Sequence, residues 1–451
     1  MTPAMMTPVR SDDRAPSVIR HSRLAAATIA GLLSAIGAAL LAAPLGAQVA
    51  VRGELVYTLA ADQPLRDAVV VVEDGRITAV GPAAEIVIPA GARQLEAAVV
   101  TPGLVDVRSP LGLSCAYNGN VGPVRDQDQL ETSSPIQPEL RAIDAYNARE
   151  ELIEYARGFG VTTIHTGHGP GALVSGQTLI AKTRGDSVEE AVIEPVRMLS
   201  VTLGDLDSDF KSPGTRAKGI AMLRGALLEA REYRDKRAEA ARGDEAGSGD
   251  EEKKSLPRDL RKETLARVLD GEIGLMVGAN TAVEIASALR LRKEFGFEMA
   301  IDGGAEAYLV LDALRESGVP VFLHPPRARI RNKNIEIASI LRDAGIPFAV
   351  QTGHEAYVPK TRVLLFEVAH YAAWGLSAQE ALAAVTRDAA RLLGIDERVG
   401  TLEVGKDGDL VLFSGDPFEY TSQVCGVVIE GEVVIGQHST RYGTTYGTLG
   451  W

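Results

Sequence analysis

Across residues 101–399, short apolar runs alternate regularly with longer amphipathic runs. One stretch reads IGLMVGA, then TAVEIASALRLRKEFG, then FEMAID, and a later one reads VPVFLHPP, then IEIASILRDAG, then IPFAVQTG. The apolar runs have the length of strands, and the amphipathic runs have the spacing of surface helices. Repeated units of this kind predict an α/β fold with a parallel sheet and outer helices, and enough units are present to close a (β/α)8 TIM-type barrel.

The two ends of the chain show a different pattern, made of short strands separated by turns. Residues 48–100 contain ELVYTL and AVVVVEDGRITAVGP, in which Asp74 and Gly75 are typical of a hairpin turn. Residues 400–451 contain TLEVGKDGDLVLFSGDP and GVVIEGEVVIG, followed by a tail. Each half is incomplete alone, so we expect both to form one small β-sandwich. Within the barrel region, residues 216–264 predict a charged helical insertion.

Residues 1–47 have the pattern of a secretory signal peptide. Arg20 and Arg23 precede an apolar run over residues 24–45, and small residues follow around Ala47. This pattern predicts export of the protein to the periplasm or beyond, with removal of the segment. An uncleaved membrane anchor is the alternative, because the apolar run is long enough to cross a bilayer.

Charge and cysteine content exclude several classes of protein. The chain has 60 acidic and 47 basic residues and a formal charge of −13, and its Lys and Arg residues form no dense cluster, so we do not expect nucleic acid as a partner. The two cysteines, Cys115 and Cys425, provide neither a disulfide framework nor a CxxC zinc motif. We expect both to be small buried residues.

Several motifs occur in an order and spacing that are known from one group of enzymes. VTPGLVD at residues 100–106 is followed by GVTTIHTGHGPGALVSGQ, ALRLRKEFG, GGAEAYLV, GVPVFLHP and RDAARLLGIDERVGTLEVGKDGDLVLFSGDP. With these motifs, residues 51–434 resemble the amidohydrolase superfamily, in particular its imidazolonepropionase-like and Xaa-Pro dipeptidase-like enzymes. The resemblance implies hydrolysis of C–N bonds in non-peptide amides or dipeptide-like substrates. It also implies one or two divalent metals that activate water at the C-terminal mouth of the barrel.

The resemblance fails at the metal ligands. The His-x-His pair of the family falls on Arg108 and Pro110, which have no lone pair suited to a metal. The other ligand positions also hold unsuitable residues: Leu199 or Ser200 for the bridging residue, and Gly278, Gly303 and Gly353 for the His, His and Asp of later strands, with Asn280 two residues beyond the first glycine. A metal site needs three or four converging ligands, so we expect no metal cofactor at the usual place.

Histidines elsewhere in the barrel offer an alternative metal site. Four of them follow predicted strands and therefore face the same mouth: His165, His168, His324 and His354, the last beside Glu355. A relocated site for zinc or another divalent metal would require these side chains to converge on one ion at about 2 Å. Otherwise each histidine makes its own hydrogen bonds. His165 and His354 are then candidates for substrate binding, because similar sequences with intact ligands also carry them.

Two further kinds of chemistry would use residues near the mouth. Nucleophilic catalysis without a metal would use Ser114, Cys115 or Ser175 beside one of the mouth histidines. The sequence around them contains no GxSxG elbow or comparable signature, so we do not expect this chemistry. Arg108 suggests a binding role instead, because a fixed cation in place of the metal charge could hold the carboxylate of a substrate-like ligand.

Two functional hypotheses follow. In the first, the chain is an active hydrolase with a relocated, histidine-based metal site. In the second, which the missing ligands favour, it is a non-catalytic paralogue that binds a small-molecule or peptide-like ligand, or pairs with itself or with a related active amidohydrolase. Convergence of the four histidines on one point would favour the first hypothesis. An intact barrel that lacks metal-binding side chains at the family's positions would favour the second.

Overall fold

The computed structural model describes residues 48–114, 128–204, 206–207, 210–245, 257–328, 330–354 and 363–436. The predicted signal peptide in residues 1–47 lies outside these ranges, as do Cys115 and Glu355. Within the described ranges, we find no helix with both the length and the apolar character needed to cross a bilayer.

The strands are β1 (Val49–Val56), β2 (Leu65–Glu73), β3 (Arg76–Pro82), β4 (Arg93–Pro102), β5 (Leu104–Ser109), β6 (Val161–Gly167), β7 (Val174–Lys182), β8 (Val192–Glu194), β9 (Met198–Thr202), β10 (Gly274–Ala279), β11 (Met299–Gly303), β12 (Val321–Leu323), β13 (Phe348–Val350), β14 (Leu410–Phe413), β15 (Val424–Ile429) and β16 (Glu432–Ile435). The helices are α1 (Glu151–Gly158), α2 (Val188–Ala191), α3 (Arg216–Glu245), α4 (Leu260–Leu269), α5 (Ala282–Phe295), α6 (Leu311–Ser317), α7 (Ile337–Asp343), α8 (Leu364–Ala373), α9 (Ala378–Ala384) and α10 (Arg387–Leu392).

The two terminal segments build one seven-stranded sheet in the order β16-β15-β14-β4-β1-β2-β3. β14 from the C-terminal segment pairs antiparallel with β4 from the N-terminal segment, so the two segments complete one another. β3 also contacts the segment before β14, where the Ile77 N–H donates to the Lys406 carbonyl at 2.9 Å, and apolar residues of β2 and β15 share one core. The turn at Asp74 and Gly75 has φ angles of 50° and 80°, as the predicted tight hairpin requires.

Eight further strands form the barrel, in the order β5-β6-β7-β9-β10-β11-β12-β13. β5 and β6 run parallel, as do the strands from β9 to β13. Every residue of β5, β6, β7 and β9 is buried, because the strands have side chains packed on both faces. The structure therefore confirms the α/β class with a TIM-type barrel and a separate domain built from both ends of the chain.

One barrel strand departs from the predicted parallel pattern. β7 runs antiparallel to both of its neighbours, β6 and β9. Only residues 168–173 separate β6 from β7, whereas a parallel connection needs a crossover of about a dozen residues or more. The expectation of an entirely parallel barrel was wrong at this strand. As a consequence, the start of β7 lies at the same end of the barrel as the ends of its parallel neighbours.

The first and last barrel strands are joined by a few specific hydrogen bonds. The Gly353 N–H donates to the Arg108 carbonyl at 3.1 Å. The N–H and the hydroxyl of Thr352 both donate to the Asp106 carboxylate, at 3.1 and 2.5 Å. The barrel is thus nearly closed, and the side chain of Asp106 holds the join between β5 and the segment that follows β13.

Buried charges connect the barrel to the terminal sheet. Lys182, at the end of β7, is 1% exposed, and its Nζ lies 2.7 Å from Asp409 Oδ2 and 2.9 Å from Asp407 Oδ2. Arg398 contacts the same Asp407 carboxylate at 2.9 Å. Burial alone would raise the pKa of Asp407, but the charges of Lys182 and Arg398 hold that pKa below its usual value.

The charged insertion predicted for residues 216–264 contains α3 and α4, which pack against each other. Leu223 and Leu227 of α3 and Leu265 of α4 are buried, so the two helices add to the main core. Their outer faces carry exposed ion pairs, for example Arg234 with Asp270 at 2.8 Å. Pairs of this kind contribute little to stability and keep the surface solvated.

Candidate functional site at the mouth of the barrel

Arg108 lies at the end of β5 and is fully buried. Its Nη2 donates to the carbonyl of His168 at 2.6 Å, and its Nε lies 3.7 Å from Asp302 Oδ2. Its Nε and Nη1 have no hydrogen-bond partner among the described residues. The guanidinium therefore joins three segments of the mouth, namely the end of β5, the loop after β6 and the end of β11.

Two carboxylates accompany this guanidinium. Asp302 is held by the Gln351 amide, whose Nε2 donates to Asp302 Oδ1 at 2.8 Å and to the Phe322 carbonyl at 2.6 Å. Asp106 is completely buried, and this burial raises its pKa to about 7, although hydrogen bonds from Thr352 and the Arg108 N–H oppose the rise. Burial also lowers the pKa of Arg108, against the opposing charges of Asp302 and Asp106. The arrangement is a buried, charge-coupled cluster.

His165 has no lone pair available for a metal. Its Nδ1 lies 2.8 Å from the Val107 carbonyl oxygen, to which it donates, and its Nε2 lies 2.6 Å from Thr178 Oγ1. Burial lowers the pKa of His165 to about 3, so the ring is neutral. The ring also meets Phe322 edge to face, with centroids 6.2 Å apart. These contacts make His165 part of the packed barrel interior.

His168 and His354 flank the loop between β6 and β7. His168 is buried, which lowers its pKa, and its Nδ1 lies 3.2 Å from the Asp128 carbonyl oxygen. Its Nε2 has no hydrogen-bond partner within the described part of the chain. His354 is partly buried, and a Cβ placed on Gly169 would lie 2.6 Å from its Cε1, so the loop packs directly on its ring.

His324 follows β12 and is engaged through both its ring and its backbone. Its Nδ1 lies 2.9 Å from the Pro325 carbonyl oxygen, and its own carbonyl accepts a hydrogen bond from the Tyr371 hydroxyl at 2.7 Å. Its N–H donates to the Gly303 carbonyl at 3.1 Å. The structure thus places all four predicted histidines at the same end of the barrel, each in its own set of contacts.

The glycines at the later ligand positions have conformations that oppose larger residues. Gly303 has a φ of +104°, and a Cβ there would lie 2.4 Å from Asn280 Oδ1. Gly353 has a φ of +84°, and a Cβ there would lie 3.0 Å from Pro325 Cγ. Both φ values lie in the left-handed region, which favours glycine. Gly278 differs, because its φ is ordinary and a Cβ would meet the Val201 carbonyl at 3.3 Å.

The donor set at the mouth does not fit the divalent metal of the resembling family. Arg108 and Pro110 occupy the first pair of positions, glycines occupy three others, and the Leu199 and Ser200 positions are buried within β9. Among the described residues, no group of three or more His, Cys, Asp or Glu side chains is arranged to hold a metal ion. The side chains at the family's ligand positions therefore cannot hold an ion that would activate water.

The candidate serine nucleophiles are not activated by a histidine in the described part of the chain. The Ser114 hydroxyl donates to Glu150 Oε1 at 3.3 Å. Ser175 lies at a break in register between β7 and β9, is 2% exposed, and has no hydrogen-bond partner for its Oγ among the described residues.

Cys425, in β15 of the terminal sheet, was predicted to be buried. It is only half-buried, and its thiol donates to the Leu412 carbonyl at 3.4 Å.

Sequence reasoning missed the partners of Arg108. Asp106 belongs to the VTPGLVD motif, which served only as a landmark of the family, and Asp302 ends the FEMAID run. A carboxylate at the end of a predicted barrel strand was a usable signal for both. Gln351 and Thr352 carried no comparable signal, because their role depends on how closely β13 approaches β5 and β12.

The fold defines a class, namely a TIM-type barrel with a β-domain built from both ends of the chain. The profile of the amidohydrolase family matches residues 90–434. The chain is 25% identical over 393 residues to an imidazolonepropionase from Rhizobium rhizogenes, covering 79% of this chain and 88% of that protein. It is 26% identical over 385 residues to an imidazolonepropionase from Cupriavidus pinatubonensis, covering 78% and 84%. The chain belongs to the amidohydrolase family.

Solved structures agree with this assignment. An amidohydrolase from Thermotoga maritima superposes with a TM-score of 0.78 at 27% identity, covering 86% of this chain and all of that one. A Xaa-Pro dipeptidase with methionine bound in its active site shares the fold, with a TM-score of 0.51 at 16% identity over 86% of this chain and 100% of that one. The chain thus belongs to a family of hydrolases that act on C–N bonds.

Proposed function

We propose that this chain is a non-catalytic member of the amidohydrolase family, which keeps the barrel to bind a small ligand or to pair with an active, related subunit. The observation that carries the proposal is Arg108. Arg108 occupies the sequence position of the family's first histidine. Its buried guanidinium donates a hydrogen bond to the His168 carbonyl and lies beside Asp302. A cation fixed there repels a divalent metal and removes the means of activating water that the family uses.

The metal content of the purified protein tests this proposal directly. Elemental analysis after brief dialysis is expected to give zinc and other transition metals well below one equivalent per chain. The same measurement on a His324→Ala/His354→Ala variant is the matched control, and it is expected to give the same low value. Near-stoichiometric metal in the parent protein that is lost in the variant would establish a relocated site and overturn the proposal.

The relocated site is the second candidate function, and its support is the placement of four histidines at one end of the barrel. Against it, both ring nitrogens of His165 are engaged, and among the described residues no group of three or more His, Cys, Asp or Glu side chains is arranged to hold a metal ion. A zinc site uses neutral imidazole nitrogens with a free lone pair from three or four residues. The contacts therefore favour the non-catalytic alternative.

For the bound ligand we propose a small molecule with a carboxylate. Nε and Nη1 of Arg108 lack hydrogen-bond partners within the described residues, although Nε forms an ion pair with Asp302, and a buried N–H without a hydrogen bond is costly. A carboxylate matches the fork of a guanidinium. Because Arg108 is fully buried and the His168 carbonyl covers its Nη2, the proposal requires the loop after β6 to move aside, and His354, which packs on this loop, would border the path, whereas His165 stays in the packed interior.

Calorimetric titration with L-methionine and with methioninamide, which lacks the carboxylate, tests the ligand class. Arg108→Ala is expected to weaken methionine binding about 10- to 100-fold, because charge-assisted hydrogen bonds contribute about 1.5–3 kcal/mol. The amide is expected to bind weakly to both proteins. The exposed Arg52→Ala serves as a control and should leave binding unchanged. Equal binding by the parent protein and by Arg108→Ala would reject Arg108 as the carboxylate site.

The remaining parts of the proposal concern location and partners. The pattern in residues 1–47 supports export to the periplasm or outside the cell, with an uncleaved anchor as the alternative. Pairing with a second copy or with an active amidohydrolase is the role we propose if no small carboxylate binds. Nucleic acid remains an unexpected partner, given the charge of −13.

A further inference from the structure

We infer that Arg108 is an internal replacement for the metal ion of the family, and that it supplies the positive charge that holds Asp106 and Asp302 in the mouth of the barrel. This inference rests on the proposed function, since a bound metal would make such a charge redundant. It goes further by assigning Arg108 a structural role that acts with or without any ligand.

The first support is the position of the charge. Arg108 is fully buried, and so is Asp106, while the Asp302 side chain is 15% exposed. A buried carboxylate without a cation is strongly unfavourable. The Arg108 guanidinium lies beside Asp302, with Nε and Oδ2 3.7 Å apart, and the Arg108 backbone N–H donates to Asp106 Oδ1 at 3.2 Å.

The second support is the number of segments that the guanidinium joins. In barrels of this family a metal is bound by ligands from several strands and so also connects them. Here Arg108 starts from β5, approaches Asp302 on β11 and donates to the loop after β6 through the His168 carbonyl. Gln351, after β13, joins the same cluster through Asp302. One cation thus connects several strand ends, as a metal would.

Among the described residues, the other titratable groups near the cluster do not supply the charge. Burial lowers the pKa of both His165 and His168, and the charge of Arg108 lowers each further, so neither ring is a cation near neutral pH. Asp128 contacts His168 through its backbone carbonyl and brings no positive charge. Within the described part of the chain, the positive charge beside Asp106 and Asp302 therefore comes from Arg108.

A double-mutant cycle in the full chain tests the inference. Arg108→Met removes the charge while keeping a long side chain, and it is expected to lower the Tm by on the order of 10 °C, because it leaves carboxylates uncompensated. Adding Asp302→Asn is expected to recover at least half of that loss. Arg108→Lys, which keeps a positive charge, is expected to lower the Tm less than Arg108→Met does. The control Arg52→Met removes an exposed ion pair and should leave the Tm almost unchanged.

A second readout separates charge from packing. The Tm deficit of Arg108→Met is expected to grow as the pH rises from about 5 to about 8, because burial raises the pKa of Asp106 to about 7 and loss of the neighbouring cation penalises only the ionised form of this carboxylate. A deficit caused by packing alone is independent of pH. A Tm equal to that of the parent protein, or a pH-independent deficit that Asp302→Asn does not relieve, overturns the inference. If Arg108→Met does not fold, the folded double variant with a stable Tm supports the inference, and failure of both to fold counts against it. Metal analysis of the parent protein tests the proposed function separately.

Discussion

Replacing Lys182 with methionine is expected to lower the free energy of unfolding by about 3–5 kcal/mol, because it removes the cation that contacts buried Asp409 and one of the cations that contact buried Asp407. Lys182 and Asp407 are each 1% exposed, and Asp409 is 4% exposed. These groups form the charged contact between the end of β7 and the terminal sheet. Urea unfolding monitored by circular dichroism should show this loss as a lower midpoint with an unchanged m-value.

The pH dependence of this effect has a defined sign. The pKa of Asp407 is depressed in the folded state, so its ion pairs stabilise the protein above the unfolded pKa of about 3.9. That contribution is lost as the pH falls through the depressed value. The difference in the free energy of unfolding between the parent protein and Lys182→Met should therefore become smaller as the pH is lowered. A gap smaller than about 1 kcal/mol at about pH 7, comparable to that of an exposed pair, would show that the buried contact contributes little.

The second large effect concerns the glycines at the family's ligand positions. Introducing the family's ligands with Gly303→His and Gly353→Asp is expected to destabilise the chain, by about 1–3 kcal/mol at each position from backbone strain alone. The φ angles of +104° and +84° account for the strain, and contact with Asn280 at position 303 adds to it. Stability is measured by urea unfolding, and zinc content by elemental analysis, which should remain far below one equivalent.

A glycine elsewhere provides the matched control. Gly225 lies inside α3, has an ordinary φ, and a Cβ there would meet nothing within 4 Å. Gly225→Ala should therefore stabilise the chain slightly, by about 0.5–1 kcal/mol, because alanine loses less backbone entropy in a helix. If the two ligand substitutions left stability intact and zinc bound stoichiometrically, the left-handed glycines would not be an obstacle and our explanation would be wrong.

Much of the fold could be predicted from the sequence because its signals are local. The alternation of apolar and amphipathic runs predicted the barrel, and the turn at Asp74 and Gly75 predicted a hairpin that the structure contains. The antiparallel direction of β7 was missed. It follows from the shortness of the segment 168–173, which forces the chain to reverse, whereas the repeated strand-helix pattern on either side favours parallel strands throughout.

The site was predictable in part. The motif around VTPGLVD placed Arg108 at the mouth without any structure, because the strand register fixes which residues follow it. The partners of Arg108 come from β11 and from the segment after β13, and their contacts depend on the way the strands curve around the barrel. The four histidines share one end of the barrel. Sharing an end does not fix where a ring points, and His165 points into the packed interior.

The burial of Arg108 has a consequence for how the protein matures. A metalloenzyme must acquire its ion from the surroundings after synthesis, and its fold then depends on supply and on competition from other metal-binding molecules. A guanidinium is part of the chain from translation onward and cannot be chelated or exchanged. If Arg108 holds the mouth as we infer, the barrel is complete as soon as it folds, and we expect its stability not to change with metal starvation or excess.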